Sequence, residues 1–301
     1  MPILKQIKRK LRRTDQERRP DPPKNAGNYV IIILDSCRFD SLCAANPKHM
    51  LKLGSIQRRF SYATWTAPSH YNLLMGLLPH PSPQHIFAST YYKKDFVFFS
   101  ERLGIPHLTF DEMIPRMWLP HYLRNVLGYY TRAIVSMPVL NANTPLAVDF
   151  DSFEMTKHHN NLSTIVDSLQ FSSERPTFYL INTGETHYPY ASPEEPEISW
   201  PRIHGAHGVF KQISQGQPIH QQQAPEFFVS ERLDELRQRQ IRVIDHVDQS
   251  IEKLFDSLPA NTFVTITADH GELFGEAGYF GHGPINHEKV MEVPLIEGKL
   301  R

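Results

Sequence analysis

The stretch that decides the fold is NYVIIILDSCRFDSL, residues 28–42, in which six apolar residues follow one another and stop at Asp35. A continuous, largely β-branched run is typical of a strand buried on both faces of a parallel sheet. The segments RPTFYLINTGETHYPY, residues 175–190, and NTFVTITADHGELFGEAGYFGHG, residues 261–283, repeat the design of an apolar run followed by polar residues. The sequence therefore predicts three buried strands that each end in a polar cluster.

A long amphipathic helix is predicted between the last two strands, in SERLDELRQRQIRVIDHVDQSIEKLFDSL, residues 230–258. Strands that alternate with helices predict an α/β fold with a doubly wound, mostly parallel sheet and helices on both faces. Ligands bind such sheets beyond the carboxyl ends of the strands. We expect three polar clusters to meet at that edge: Asp35; Asn182, Thr183, Glu185 and His187; Asp269 and His270.

Composition favours one large domain, because 40% of the 301 residues are apolar and can form a sizeable core. The formal net charge is zero, but residues 1–24 carry nine basic residues against three acidic ones. We expect residues 1–26 to form a basic, flexible extension. It is interpreted either as a solvated tail or as a segment that docks on an anionic membrane surface or a protein partner. No specific nucleic-acid site is evident.

The two cysteines, Cys37 and Cys43, lie six residues apart and would make a poor structural disulfide. This favours a reducing compartment. No apolar run has the length of a signal peptide core or a membrane span. We expect a cytoplasmic protein, with membrane-peripheral attachment through the tail as an alternative.

The segment TWTAPSHYNLLMGLLP, residues 64–79, predicts a short helix with Pro68 in its first turn and Thr66 as its cap. Most such threonines are caps and nothing more. However, Asp35, Asp269 and His270 are donors of the kind that hold a divalent metal ion. A metal beside Thr66 would lower the pKa of its hydroxyl and make it a nucleophile.

Four motifs in order, between Asn28 and Ile296, resemble the sulfatase-like branch of the alkaline phosphatase superfamily. YVIIILDSCRFDSL resembles the first sulfatase strand, and TAPSHYNLLMGLLP is similar to the nucleophile signature, including its threonine version in nucleotide pyrophosphatase/phosphodiesterases. THYPY resembles the H-x-P-Y segment, and ADHGELFGEAGYFGHG with EVPLI the C-terminal metal motif. The resemblance implies that residues 27–301 form an alkaline-phosphatase-like catalytic domain that lacks the usual C-terminal subdomain.

Carried over to this sequence, the resemblance implies metal ligands at Asp35, Thr66, Asp269 and His270, with Thr66 also the nucleophile. It places His187 at the ester and its leaving oxygen, and it makes His282 the holder of the substrate anion or a proton donor. Glu185 and His187 give no clear match to a second metal site, so we expect one ion. The donor set favours zinc, with manganese and calcium as alternatives.

Departures from the family pattern decide the expected chemistry. Sulfatases use a Cys or Ser that becomes formylglycine, which Thr66 cannot form; their signature arginine is His70 here, and the second aspartate of their calcium site is Ser36. We therefore expect a metal-dependent phosphate-ester hydrolase or transferase, similar to phosphodiesterases and phosphoethanolamine transferases. The alternatives are a sulfate-ester hydrolase and a degenerate anion-binding protein. Its substrate would be a small phosphate or sulfate ester, flanked by the segments 111–147 and 191–229.

Overall fold

The computed structural model of the chain describes residues 19–81, 98–107, 118–201, 229–283 and 285–299. These residues form a seven-stranded sheet and a separate two-stranded hairpin. The sheet consists of β1 (Asn28–Leu34), β2 (Gln57–Phe60), β3 (Tyr130–Val135), β4 (Ser152–Met155), β5 (Thr177–Thr183), β6 (Thr262–Thr267) and β9 (Glu292–Lys299), and the hairpin of β7 (Leu273–Phe274) and β8 (Phe280–Gly281).

The sheet is mostly parallel, with the order β2-β9-β6-β1-β5-β3-β4. The strand β1 lies between β5 and β6 and is parallel to both, whereas β9 is antiparallel to its neighbours β6 and β2. Ile33 pairs with Asn182 on one side and with Thr267 on the other. Because this register continues to the strand ends, Asp35 and Asp269 lie at the same level of the sheet.

Helices cover both faces of the sheet, as the unbroken apolar run of β1 predicts. Tyr29, Ile31 and Ile33 belong to one buried cluster, and Val30, Ile32 and Leu34 belong to another. The first cluster includes residues of α2 (Thr66–Leu74), α3 (Phe99–Leu103) and α4 (Leu119–Asn125), and the second includes residues of α1 (Phe39–Ala45), α5 (Leu162–Ser168) and α6 (Ser230–Ser257). The remaining α-helix among the described residues is α7 (Glu288–Met291). The doubly wound α/β prediction is confirmed.

The aromatic segment around α4 belongs to the core over its described part. Leu119, Tyr122 and Leu123 are buried in the first of these clusters. Residues 108–117 and 202–228 lie outside the described residues, so the expected role of the two inserted segments as substrate walls stays a prediction. Both cysteines are free.

The expected extension is described only from Arg19 onward, and this part packs against the domain. Arg19 donates to the Tyr129 carbonyl at 3.1 Å and forms an ion pair with Asp151. Residues 1–18 lie outside the described residues, so the flexibility of the tail, its docking and the cytoplasmic location stay predictions. Among the described helices, none combines the length and the apolar character needed to span a bilayer.

Candidate active site

The carboxyl ends of β1, β5 and β6 meet at one edge of the sheet, where the turn after β1 is tightly held. Ser36 adopts a left-handed conformation with φ 59°, which is uncommon for a non-glycine residue. This turn directs the Ser36 amide to Asp269 Oδ1 at 3.1 Å. Gln240 on α6 donates to the Ser36 and Thr186 carbonyls, both at 2.9 Å. A single side chain thus ties together the segments that follow β1 and β5.

Asp35, Asp269 and His270 form a buried group whose ligand atoms all lie within 4.8 Å of one another. The Thr66 hydroxyl lies 3.3 Å from His270 Nε2. His270 Nδ1 donates to the Gly271 carbonyl at 2.9 Å, which leaves Nε2 for the partners inside the group. That nitrogen faces Asp269 Oδ2 at 3.3 Å and Asp35 Oδ1 at 4.0 Å. Four side chains from two strand ends and one helix therefore converge on a single point.

Outer hydrogen bonds orient both carboxylates. Asn182 donates to Asp35 Oδ2 at 3.0 Å, and the Ser36 hydroxyl lies 3.3 Å from Asp35 Oδ1. Asp269 Oδ1 accepts from the His270 amide at 3.0 Å as well as from the Ser36 amide. Asp269 Oδ2 is buried and lacks a hydrogen-bond donor among the described residues. Because a buried carboxylate oxygen is costly to leave unpaired, the site fits a cation.

Electrostatics in the group point the same way. Burial raises the pKa of Asp35, and the nearby Asp269 raises it further. Burial alone would raise the pKa of Asp269 too, but His270 and His70 hold it below its usual value. Although burial opposes it, Asp269 raises the pKa of His270 to about 9. The group therefore attracts positive charge, and two carboxylates with one imidazole fit zinc or manganese.

Thr66 is the first residue of α2, and the helix cap is Trp65. The prediction that Thr66 caps the helix is wrong, because the cap position is one residue earlier and no side-chain cap hydrogen bond forms there. The Thr66 hydroxyl faces His270 instead. The backbone explains the difference, because Trp65 is extended at φ −156° and ψ 163° while the helical turn begins one residue later. The hydroxyl is thus available for chemistry rather than for capping.

His187 and His282 form the outer wall of the site. Their ring centres are 5.4 Å apart, and the His282 ring lies 4.1 Å from that of His270. His282 Nδ1 lies 3.0 Å from Glu272 Oε1, and His187 Nδ1 lies 2.9 Å from the Tyr188 carbonyl. With Nδ1 donating in each ring, both Nε2 atoms are left for a substrate. Burial and the neighbouring His270 lower the pKa of His282, which favours its neutral form.

Glu272 is a functional candidate that the sequence reasoning missed. Its side chain is buried; one oxygen meets His282, and the other accepts from the Tyr190 hydroxyl at 3.0 Å. Burial alone would raise the pKa of Glu272, but the His282 imidazole lowers it, so the carboxylate stays ionised. The sequence signal for Glu272 is its position three residues after Asp269, within the C-terminal metal motif ADHGELFGEAGYFGHG.

Glu185 does not belong to the site. It is buried and accepts from the Leu162 amide at 2.6 Å, where α5 begins, and from the Thr183 hydroxyl. Its carboxylate therefore holds a helix start instead of a second metal ion. Over the residues that the structure describes, the group around Asp269 is the one cluster with metal-ligand spacing.

Comparisons with known proteins agree with the fold. The sequence matches the sulfatase family model over residues 27–296. It finds no match among curated proteins. Its fold is similar to that of solved structures at 14% sequence identity. One is the zinc complex of the C-terminal periplasmic domain of EcEptC from Escherichia coli, with a TM-score of 0.50 over 92% of this chain and 74% of that one. Others are a putative sulfatase from Bacteroides thetaiotaomicron, with a TM-score of 0.53 over 91% of this chain and 64% of that one, and the phosphonate monoester hydrolase of Agrobacterium radiobacter, with a TM-score of 0.51 over 91% and 68%.

Proposed function

The chain belongs to the sulfatase family, and from that premise we propose that it hydrolyses or transfers phosphate esters through Thr66 at a site that binds one divalent cation. The family and its structural neighbours are sulfate- or phosphate-ester hydrolases and transferases. The observation that carries the finer proposal is the Thr66 hydroxyl, 3.3 Å from His270 Nε2, next to two buried carboxylates. A hydroxyl in this position ionises only when a cation offsets the negative charge of the neighbouring carboxylates.

Asp35, Asp269, His270 and the Thr66 oxygen would hold the cation. When bound, it would lower the pKa of the Thr66 hydroxyl and offset the charge of the ester oxygens. Zinc is our proposal for the ion because imidazole and carboxylate ligands suit it, with manganese and calcium as alternatives. The zinc ion of the EcEptC complex is an observation on EcEptC and does not identify the ion of this protein.

Thr66 Oγ1 forms the new bond to phosphorus while the bond from phosphorus to the leaving oxygen breaks. The proton of the Thr66 hydroxyl passes to the neutral Nε2 of His282 or His187, and the imidazolium formed there gives it to the leaving oxygen. Glu272 keeps the His282 ring oriented and stabilises its charged form during the transfer. A water or an alcohol then takes the phosphoryl group from Thr66, which gives hydrolysis or transfer respectively.

Sulfate-ester hydrolysis is the second candidate, and the family match itself favours it. Thr66 argues against it, because a threonine does not yield the formylglycine aldehyde that sulfatases use. A degenerate anion-binding protein is the third interpretation. The buried and fully oriented group of Asp35, Asp269 and His270 argues against that loss of function.

The test begins with the metal content of the purified protein and its turnover of aryl phosphate monoesters, phosphate diesters and aryl sulfates. Rapid quenching with the best phosphate substrate should trap a phosphate on Thr66, detected by peptide mass spectrometry. Thr66→Ala should abolish both the adduct and turnover, and Thr66→Ser should retain part of each. A loaded, folded and fully active Thr66→Ala variant would exclude the mechanism.

Thr64→Ala is the matched control for these variants. Thr64 lies on the same segment, and its recorded contact is through the backbone carbonyl, which accepts from the Gly283 amide at 3.1 Å. Removing its side chain should leave metal content and turnover close to those of the unmodified protein. Turnover of sulfate esters alone would establish the second candidate, and metal binding with no turnover of any ester would support the third.

A further inference from the structure

His70 is a buried imidazole beside the metal-type group that the proposed function does not use. It lies on α2, one helical turn after Thr66, and only 1% of the residue is exposed. Its Nδ1 is 2.8 Å from the Thr66 carbonyl oxygen. The same nitrogen is 3.7 Å from Asp269 Oδ2. One atom of His70 therefore reaches both the nucleophile's backbone and a candidate metal ligand.

The tautomer of His70 follows from these partners. A carbonyl oxygen can only accept, so Nδ1 carries the hydrogen and donates to Thr66. Asp269 Oδ2 is the carboxylate oxygen that lacks a hydrogen-bond donor in the described chain, and its recorded ion-pair contacts are with His270 and His70. The Nδ1–H of His70, whose nitrogen lies 3.7 Å from Oδ2, thus supplies positive polarity beside that oxygen.

The geometry distinguishes His70 from a metal ligand. It is not a member of the group whose ligand atoms lie within 4.8 Å of one another. Its Nε2 is buried and has no hydrogen-bond partner among the described residues. The polar contacts of the His70 ring are therefore made by Nδ1.

We propose that His70 is a positioning residue, which fixes the start of α2 and Asp269 relative to each other through its single Nδ1–H. The inference rests on the proposed metal site. Residues that orient metal ligands from outside typically change metal affinity by about 10–100-fold when they are removed. His70 couples two ligands, Thr66 and Asp269, whose positions come from different elements of the fold.

Three substitutions separate the role of the N–H from that of the ring. In His70→Asn the amide nitrogen is attached to Cγ, as Nδ1 is in histidine, so it can still donate to Thr66. In His70→Gln the amide lies one bond further out and mimics Nε2 instead. His70→Phe keeps the bulk of a ring and removes both nitrogens.

The measurements are zinc affinity, by competition with a chromophoric chelator, and the visible absorption spectrum of the cobalt-substituted protein. We expect His70→Phe and His70→Gln to weaken zinc binding about 10–100-fold and to change the cobalt spectrum. His70→Asn should stay within a few-fold of the unmodified protein and keep its spectrum. His121→Phe is the control, because His121 also pairs with a carboxylate, Asp149 at 3.1 Å, away from this group.

Unchanged zinc affinity and an unchanged cobalt spectrum in His70→Phe would overturn the inference. Equal losses in all three variants would overturn it too, since they would assign the effect to packing. If His70→Phe does not fold, as judged by circular dichroism, the contrast between Asn and Gln decides. Asp269→Asn separates this result from the proposed function: if it binds zinc as well as the unmodified protein does, the metal site fails, whereas a loss there with normal His70 variants removes only the role of His70.

Discussion

The two ends of the central sheet neutralise their carboxylates in opposite ways. At the amino end, Asp151 precedes β4 and accepts from Arg19, from Arg124 at 3.0 Å and from the Thr131 amide at 2.9 Å. At the carboxyl end, Asp35 and Asp269 lie together, and their recorded ion pairs in the described chain are with histidines. Guanidinium groups neutralise one end permanently, whereas the other end depends on protons or a cation.

The pKa values of Asp151 and Asp35 are shifted in opposite directions at the two ends of the sheet. Burial alone would raise the pKa of Asp151, but Arg19 holds it below its usual value. Burial raises the pKa of Asp35, and its neighbour Asp269 adds to the effect. Paired charge at the amino end stabilises the fold in any condition where Asp151 is ionised. At the carboxyl end the partners are imidazoles, so stability there depends on protons and on what binds.

Asp269→Asn should have the largest effect, because it removes a ligand from the end that depends on a cation. We expect zinc binding and turnover to fall by more than the roughly 10–100-fold typical of outer partners. In the unmodified protein, zinc at about 100 times its dissociation constant should add about 2.7 kcal/mol to the free energy of unfolding, and this gain should disappear in the variant. Calorimetry with and without zinc measures this increase in the free energy of unfolding. An equal increase in Asp269→Asn would contradict the contrast between the two ends of the sheet.

Gly271→Ala should have the next largest effect. A Cβ at Gly271 would clash with the Lys289 carbonyl oxygen, so the backbone that carries His270 would have to move. We expect a loss of about 1–3 kcal/mol in the free energy of unfolding, together with weaker zinc binding. Gly278→Ala is the control: a Cβ there meets nothing within 4 Å, so only its left-handed φ of 77° is penalised, and zinc affinity should not change. Denaturant titration and zinc competition report the two effects.

Asp151→Asn should affect stability without affecting zinc. Losing charge-assisted hydrogen bonds from Arg19 and Arg124 should cost about 1.5–3 kcal/mol of unfolding free energy. Because the folded pKa of Asp151 is lowered, its contribution is present above the unfolded value of about 3.9 and is lost as pH falls through the folded pKa. Urea titrations across that range should show the two proteins converging in acid. A change in zinc affinity would show that the two ends are coupled.

Asp21→Asn is the control for that variant. Asp21 has a 97% exposed side chain and lies 3.4 Å from Arg175 at the same end of the molecule. An exposed pair of this kind contributes little, so its removal should be close to silent in the same titrations. A loss equal to that of Asp151→Asn would mean that burial does not distinguish the two pairs.

Removal of residues 1–18 should have the smallest effect, within about 0.5 kcal/mol of unfolding free energy and with zinc binding and turnover kept. Removal of residues 1–24 should cost more, because it also takes away Arg19 and its ion pair with Asp151. Thermal unfolding of the two truncated proteins, with turnover of a small soluble ester, distinguishes them. Equal stability of both would show that Arg19 does not anchor the chain.

Sequence patterns were sufficient for the three central strands, for two of the helices and for the types of residue at the strand ends. The apolar run before Asp35 predicted β1, and the structure has it at Asn28–Leu34. The amphipathic period predicted the long helix, found at Ser230–Ser257. Burial and hydrophobic periodicity are local properties of the chain, so they can be recognised without knowing its partners. Their end residues were then expected at one edge because parallel strands share that edge.

Only the tertiary structure decided which polar side chains meet. Glu272 orients His282, Asn182 orients Asp35, and His70 faces both Thr66 and Asp269. These contacts depend on strand order, register and helix orientation, none of which a linear pattern specifies. Glu185, from the same polar cluster as His187, shows the same limit, because it turns to the start of α5. The sequence alone determined the buried strands and the donors at their ends, whereas the convergence of side chains up to 235 positions apart came from packing.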